Sequence, residues 1–178
     1  LVHEGFVIAK QARGEIAETP KPGARTLRRV TTRIVGSGRK SVLAAASRLD
    51  CTATVHVAIG ADTVHMHPEA DGAAIGEATL LDFRKLCSVV ADMAEGVWVN
   101  LGSAVILPEV FMKAYTVACN LGAKLDRMVT ANMDQIQHYR PRENVLARPT
   151  QRGIAITGQH EIMLPLLRHL VLLEMAAT

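Results

Sequence analysis

"GVWVNLGSAVILPEVFMKAYTVACNLG", residues 96–122, decides the fold. Its first part is a β-branched apolar run that ends in a glycine. Its second part carries Pro108 near the start, Gly122 at the end and apolar residues at helical spacing between them. Strand, glycine turn and helix follow one another with nothing between. The strand is apolar on both of its faces, the pattern of a parallel sheet covered by helices.

The same alternation continues on either side. "TVHVAIG" (54–60), "RMVTANM" (127–133) and "GIAITG" (153–158) read as further strands. "SVLAAASRL" (41–49) reads as a helix capped by Ser41, and "LPLLRHLVLLEMAA" (164–177) as a closing helix. "GEATLLDFRKLCSVVADM" (76–93) places Leu80, Phe83, Leu86, Val89, Val90 and Met93 at helical spacing. "VNLGSAVILPEVF" and "AITGQHEIMLPLL" look like two related strand-to-helix units. The expected fold is α/β: three layers, a mostly parallel sheet with helices on both faces. Residues 1–178 are read as a single α/β domain. It is expected to be incomplete at its N-terminus, because "LVHEGFVIAK" begins in mid-element. Residues 10–40, with Pro20, Pro22, Gly23, Gly36 and Gly38, read as an irregular basic loop region.

Composition narrows the function classes. Hydrophobic residues at 49% and charged residues at 21% are ordinary for a soluble globular chain. Aromatics at 3% require an aliphatic core and count against single-stranded nucleic-acid binding, which needs stacking platforms. The net charge of +3 gathers in "KPGARTLRRVTTRIVGSGRK" (21–40), which reads as a solvated face or loop ahead of a phosphate or nucleic-acid contact. No apolar run is long enough to cross a bilayer, and no signal peptide is seen; a cytoplasmic protein is expected, with no membrane partner. Cys51, Cys87 and Cys119 form no CxxC and read as reduced thiols.

The polar residues gather where the strands end. The first strand runs out at Gly60 into Asp62, His65, His67 and Asp71. The second runs into Asn100, Gly102 and Ser103, with Glu109 opening the helix. The third runs into Asn132, Asp134, Gln137, His138 and Arg140, and the last into Gly158, Gln159, His160 and Glu161. In an open parallel sheet, ligands bind outside the carboxyl ends of the strands. If the strands are parallel neighbours, these clusters line one rim, and a small-molecule substrate or nucleotide satisfies part of it.

Each signal has a plainer alternative. His65-Met66-His67 on an extended segment would turn both imidazoles the same way, as metal ligation requires, with Asp62, Asp71 or His160 to complete the shell. Without a fixed partner spacing a metal is possible but not favoured. His56 and His169 read as packing residues. The Gly102-Ser103 and Gly158 turns have no acid immediately beside them, so their backbone N–H groups suit a phosphate. Arg140 and Arg142 either clamp an anion or pair with Glu143.

From about Ser41 onward the order of these segments resembles the deoxyhypusine synthase-like family, whose domain has an NAD-binding, Rossmann-like fold. "SVLAAASRLDCTATVHVAIGAD" is similar to its helix and strand, and "TVHMHPEADG" to its histidine loop. "VWVNLGSAVILPEVFMKAYTVACNLG" is similar to its glycine-rich turn and helix. "RMVTANMDQIQHYRPR" sits where the family carries a polar strand end, and "ITGQHEIMLPLLRHL" resembles its closing turn and helix. The resemblance implies NAD as cofactor and a homo-oligomer, with "LPLLRHLVLLEMAA" available for that packing.

Two departures limit it. Deoxyhypusine synthases form an imine on a lysine near the last strand, and "VLARPTQRGIAITGQHE" contains none. An imine needs a primary amine, which Arg148 and Arg152 lack. The glycine-rich turn and acidic pair expected after "LVHEGFVIA" are also missing. Authentic deoxyhypusine synthesis is therefore not expected. The expected enzyme is an NAD-dependent transferase or oxidoreductase-like protein. His65, His67, His138 or His160 would serve as acid/base, Asp62 and Glu161 as orienting groups, and Gly60, Gly102, Ser103, Asn132, Asp134, Arg140 and Gly158 would hold the cofactor. The alternatives are a metal-dependent hydrolase using the HxH segment and a non-catalytic metabolite-binding protein.

Overall fold

The computed structural model describes residues 5–9 and 42–177. Ser41 and the basic stretch 10–40 lie outside the described residues. The chain divides into two compact units, Leu1–Asp92 and Met93–Thr178.

The first unit runs β1 (Gly5–Ala9), α1 (Val42–Arg48), β2 (Thr52–His56), a 3₁₀ turn (Thr63–Met66) and α2 (Gly72–Ala91). Leu86, Val89 and Val90 of α2 are buried, as are Ala44 and Ala46 of α1. Leu80, expected on the same face as Leu86, is exposed; the inward position is taken instead by Asp82.

β2 pairs antiparallel with β1, Gly5 opposite His56 and Ala9 opposite Thr52. It was expected to run parallel beside the later strands. The difference has a local cause in α2. Val55 N–H donates to Asp82 Oδ2 at 2.9 Å and Val57 N–H to Thr79 Oγ1 at 3.2 Å. Alternate residues of a strand send their N–H groups to one side, and residues three apart on a helix share one face. Two side chains of α2 therefore occupy donors that a neighbouring strand would otherwise take. Asp82 is only 2% exposed, and Lys85 Nζ at 3.3 Å partly balances its charge. Asp82→Ala leaves a half-buried N–H unpaired and should lower the stability of this unit by about 1–3 kcal/mol in urea unfolding.

The second unit runs β3 (Val97–Leu101), α3 (Ile106–Asn120), β4 (Val129–Asp134), a single turn α4 (Tyr139–Pro141) leading into a π-helical turn (Arg142–Ala147), β5 (Gly153–Thr157) and α5 (His160–Ala177). Its sheet is wholly parallel, ordered β3-β4-β5, with Asn100 opposite Asn132 and Asp134 opposite Thr157. The protein is thus α/β with a three-stranded parallel sheet and helices, as the alternating pattern implied.

Sequence order in the sheet has a consequence for coverage. Right-handed crossovers between successive neighbours set both connections on the same face. The side chains agree. Trp98 stacks on Phe111 of α3, with ring centroids 4.2 Å apart, and Thr130, level with Trp98 in register, donates to Val145 O of the π-helical turn at 2.6 Å. The opposite face carries Val97, Val99 and Leu101 at 59%, 42% and 40% exposure.

The ends of α3 follow their sequence signals. Pro108 falls in the first turn, where a missing N–H costs nothing, and Gly122 at φ +97° closes the helix through Gly122 N–H to Cys119 O and Ala123 N–H to Ala118 O. Tyr115 ties α3 to the chain after the π-helical turn by donating to Pro149 O at 2.8 Å. Burial, helped by the Cys119 side chain, pushes its phenol up to about 12. The look-alike unit behaves differently. α5 begins at His160, four residues before the expected start, and so contains Pro165 in its interior.

Candidate functional site at the strand ends

The strand ends that meet are those of β3, β4 and β5. Asn100, Asn132 and Asp134 point to one face of the sheet and are all buried. Asn100 Nδ2 donates both to Ser103 O at 2.9 Å and to Asn132 Oδ1 at 2.6 Å. Both partners are acceptors, which fixes the orientation of the amide. Asn132 Nδ2 donates to Gln137 Oε1 at 2.6 Å, and Gln137 Nε2 donates to Ile156 O and Thr157 Oγ1, both at 3.2 Å. Donation runs in one direction from β3 through β4 to β5, an arrangement in which each bond strengthens the next. Asn100 Oδ1 is buried with no partner among the described residues.

His160 lies over this edge. Its Nε2 is 3.8 Å from Asp134 Oδ1, within ion-pair range and beyond hydrogen-bond reach. A Cβ on Gly102 would stand 3.1 Å from the same nitrogen, and Gly102 has φ +66°. The backbone conformation favours glycine there, and an added Cβ would press on the imidazole. Gly102 N–H donates to Met133 O at 3.1 Å and Gly158 N–H to Asp134 O at 3.1 Å, so the turns after β3 and β5 are both tied to β4. A Cβ on Gly158 would lie 2.9 Å from Met163 Cγ. His160 Nδ1 is buried and unpartnered among the described residues.

Ser103 Oγ, two residues ahead of the N-cap, accepts from Leu107 N–H at 3.1 Å and so satisfies a free donor in the first turn of α3. The acid within the first turn of that helix is Glu109. Its carboxylate accepts from Arg140 Nη1 at 2.7 Å and from the buried Asn144 Nδ2 at 2.8 Å. Arg140 therefore pairs with Glu109 and not with Glu143, and the charge at the start of α3 is balanced. His138 and Glu161 are exposed, His138 preceding α4 and Glu161 in the first turn of α5.

The predicted residues of the first unit are tied to their own backbone. Asp62 Oδ2 accepts from Ala58 N–H at 2.8 Å, His65 Nδ1 from Gly60 N–H at 3.3 Å, His67 Nδ1 from Glu69 N–H at 3.2 Å, and Asp71 Oδ1 from Ala73 and Ala74 N–H. Gly60 has φ +86°, which closes the turn. The HxH segment is not extended, because His65 belongs to the 3₁₀ turn. His65 Nδ1 is held by Gly60 N–H, and His67, just past the turn, by Glu69 N–H, so each imidazole is engaged with its own segment of backbone. Among the described residues no group of three or more His, Cys, Asp or Glu is placed to hold a metal ion. No helix among them is long and apolar enough to cross a membrane.

Asn144, which braces Glu109, was outside the rim expected from the sequence, whereas Asn100 and Gln137 were placed on it but given no part in holding the cofactor. Asn100 and Asn132 each sit at the fourth position of an apolar strand, and that shared parity was the available signal. Gln137 and Asn144 sit in loop and π-helical segments, where no period foretells a direction.

Comparison with known proteins finds no family model, no curated protein and no solved structure that matches this chain.

Proposed function

We propose that the chain is a deoxyhypusine synthase-like protein of Rossmann-like fold. On this reading it binds NAD or a related nucleotide across the carboxyl ends of β3, β4 and β5 and acts on a small molecule through His160. The carrying observation is the convergence of three strand ends on one imidazole: Gly102 after β3, Asp134 ending β4 and His160 after β5. An imidazole beside a carboxylate is suited to proton transfer near neutral pH.

The residues fit a nucleotide phosphate. Gly102 leaves the α3 turn free of side chain, and the Ser103 and Ala104 N–H groups carry no partner among the described residues. The one acid in the first turn of α3 is neutralised by Arg140. Gly102, Ser103 and Gly158 would hold phosphate, with Asn132 and Asp134 taking hydroxyl or amide groups. NAD, when bound, would supply a hydride acceptor. The apolar α5, with no buried residue, supports homo-oligomeric packing.

Calorimetry and thermal unfolding with NAD test the reading. NAD at one hundred times its Kd should stabilise the protein by about 2.7 kcal/mol. Ser103→Asp retains an accepting oxygen but sets a carboxylate against the phosphate, and should abolish that stabilisation. Unchanged unfolding at millimolar NAD, with no binding heat, would remove NAD from the proposal.

A further inference from the structure

The buried polar cluster of the first unit has no role in the site above. Thr54 and His56, alternate residues of β2, point to the same face and are both buried. Thr54 Oγ1 and His56 Nε2 are 3.0 Å apart. From α2, Asp82 acts on His56 through its charge while holding Val55 N–H and Lys85 Nζ. Arg48, exposed at the end of α1, is the one charged residue of that helix. Gly5–Ala9 of β1 includes no titratable residue.

We propose that this cluster is an acid-sensitive clamp: proton uptake by His56 loosens α2 from β2 and opens the first unit, while the parallel sheet of the second unit stays folded. The neutral imidazole shares a hydrogen bond between its Nε2 and the Thr54 hydroxyl. A protonated ring would place a full charge where water cannot solvate it. Asp82 offsets this only in part, because it already holds Lys85 and a backbone N–H. Burial outweighs the pull of Asp82 and lowers the His56 pKa from its ordinary 6.5. Just below that pH the unfolded chain binds more protons than the folded one. Stability is therefore full above 6.5 and falls as the pH drops from there toward the folded pKa.

Amide hydrogen exchange on the full chain, at about pH 7.5 and about pH 5.5 and expressed as protection factors, reads the clamp directly. Residues 52–57 and 79–86 should lose several-fold of their protection at the lower pH, while 129–134 keeps its own. His56→Gln keeps a neutral hydrogen-bonding side chain and should remove the difference. Should that variant fold poorly, the His56 ring titration followed by NMR in the unaltered chain must show a midpoint below 6.5. Equal losses in both units, a pH response retained by His56→Gln, or a midpoint at or above the ordinary value would each overturn the clamp.

Discussion

Replacing Gly153 by alanine should unseat β5 from the rest of the second unit. A Cβ at this position would lie 2.7 Å from Leu146 Cα and 2.8 Å from its carbonyl carbon, and would press on the Leu146 carbonyl oxygen as well. These are backbone atoms of the π-helical turn, so no rotamer change relieves the collision. Either the turn or the strand must move, and Gly153 sits in register opposite Thr130 of the central strand, whose N–H donates to the Arg152 carbonyl at 3.2 Å. Overpacking of this kind costs about 1–3 kcal/mol when side chains can yield. Against backbone the expected loss is at the top of that range or beyond. Trp98 is the only tryptophan of the chain, so its fluorescence in urea follows the second unit specifically. A midpoint within error of the unaltered protein would show that the β5–turn contact is not required.

Phe111→Ala is the second large effect. Phe111 is fully buried, stacks on Trp98 with an interplanar angle of 14°, and touches Tyr115 at a centroid distance of 6.2 Å. Those three are half of the chain's aromatic residues, three Phe, two Tyr and one Trp. An otherwise aliphatic core thus has its bulkiest group at one place, between the sheet and α3. Truncation removes the transfer free energy of the ring and leaves a cavity under Trp98, together about 3–5 kcal/mol. The same urea experiment reads it. Trp98 emission should also shift to the red in the folded variant as water reaches the ring. A loss below ~1 kcal/mol would mean that the layer closes over the gap.

How far the sequence was legible follows from which kind of signal each element carries. The parallel strands were visible because apolar runs bounded by glycine or turn residues mark strands however they pair. α3 was legible at both ends, since Pro108 and Gly122 have local meaning. The partner of β2 was not, because "TVHV" reads alike in either sheet. Its neighbour is decided by Asp82, 27 residues away, whose carboxylate reaches Val55 N–H. A lone aspartate inside an apolar helix pattern was the visible trace of that bond. The 3₁₀ turn that holds His65 likewise leaves no periodic mark. At the candidate site, the strand ends were readable as positions, whereas the pairing of Arg140 with Glu109 depends on how α3 packs against the turn after β4 and was not.

The way α2 closes β2 also bears on how the protein behaves at high concentration. A strand margin blocked by a threonine and an aspartate cannot recruit a foreign peptide without first ejecting both. β5 is the last strand of its sheet, and among the described residues no further strand adjoins its outer side. Strand addition would therefore be open at β5, as it is at β3 on the other edge of the same sheet, and a lysine on each of these strands would be the economical way to keep concentrated samples dispersed.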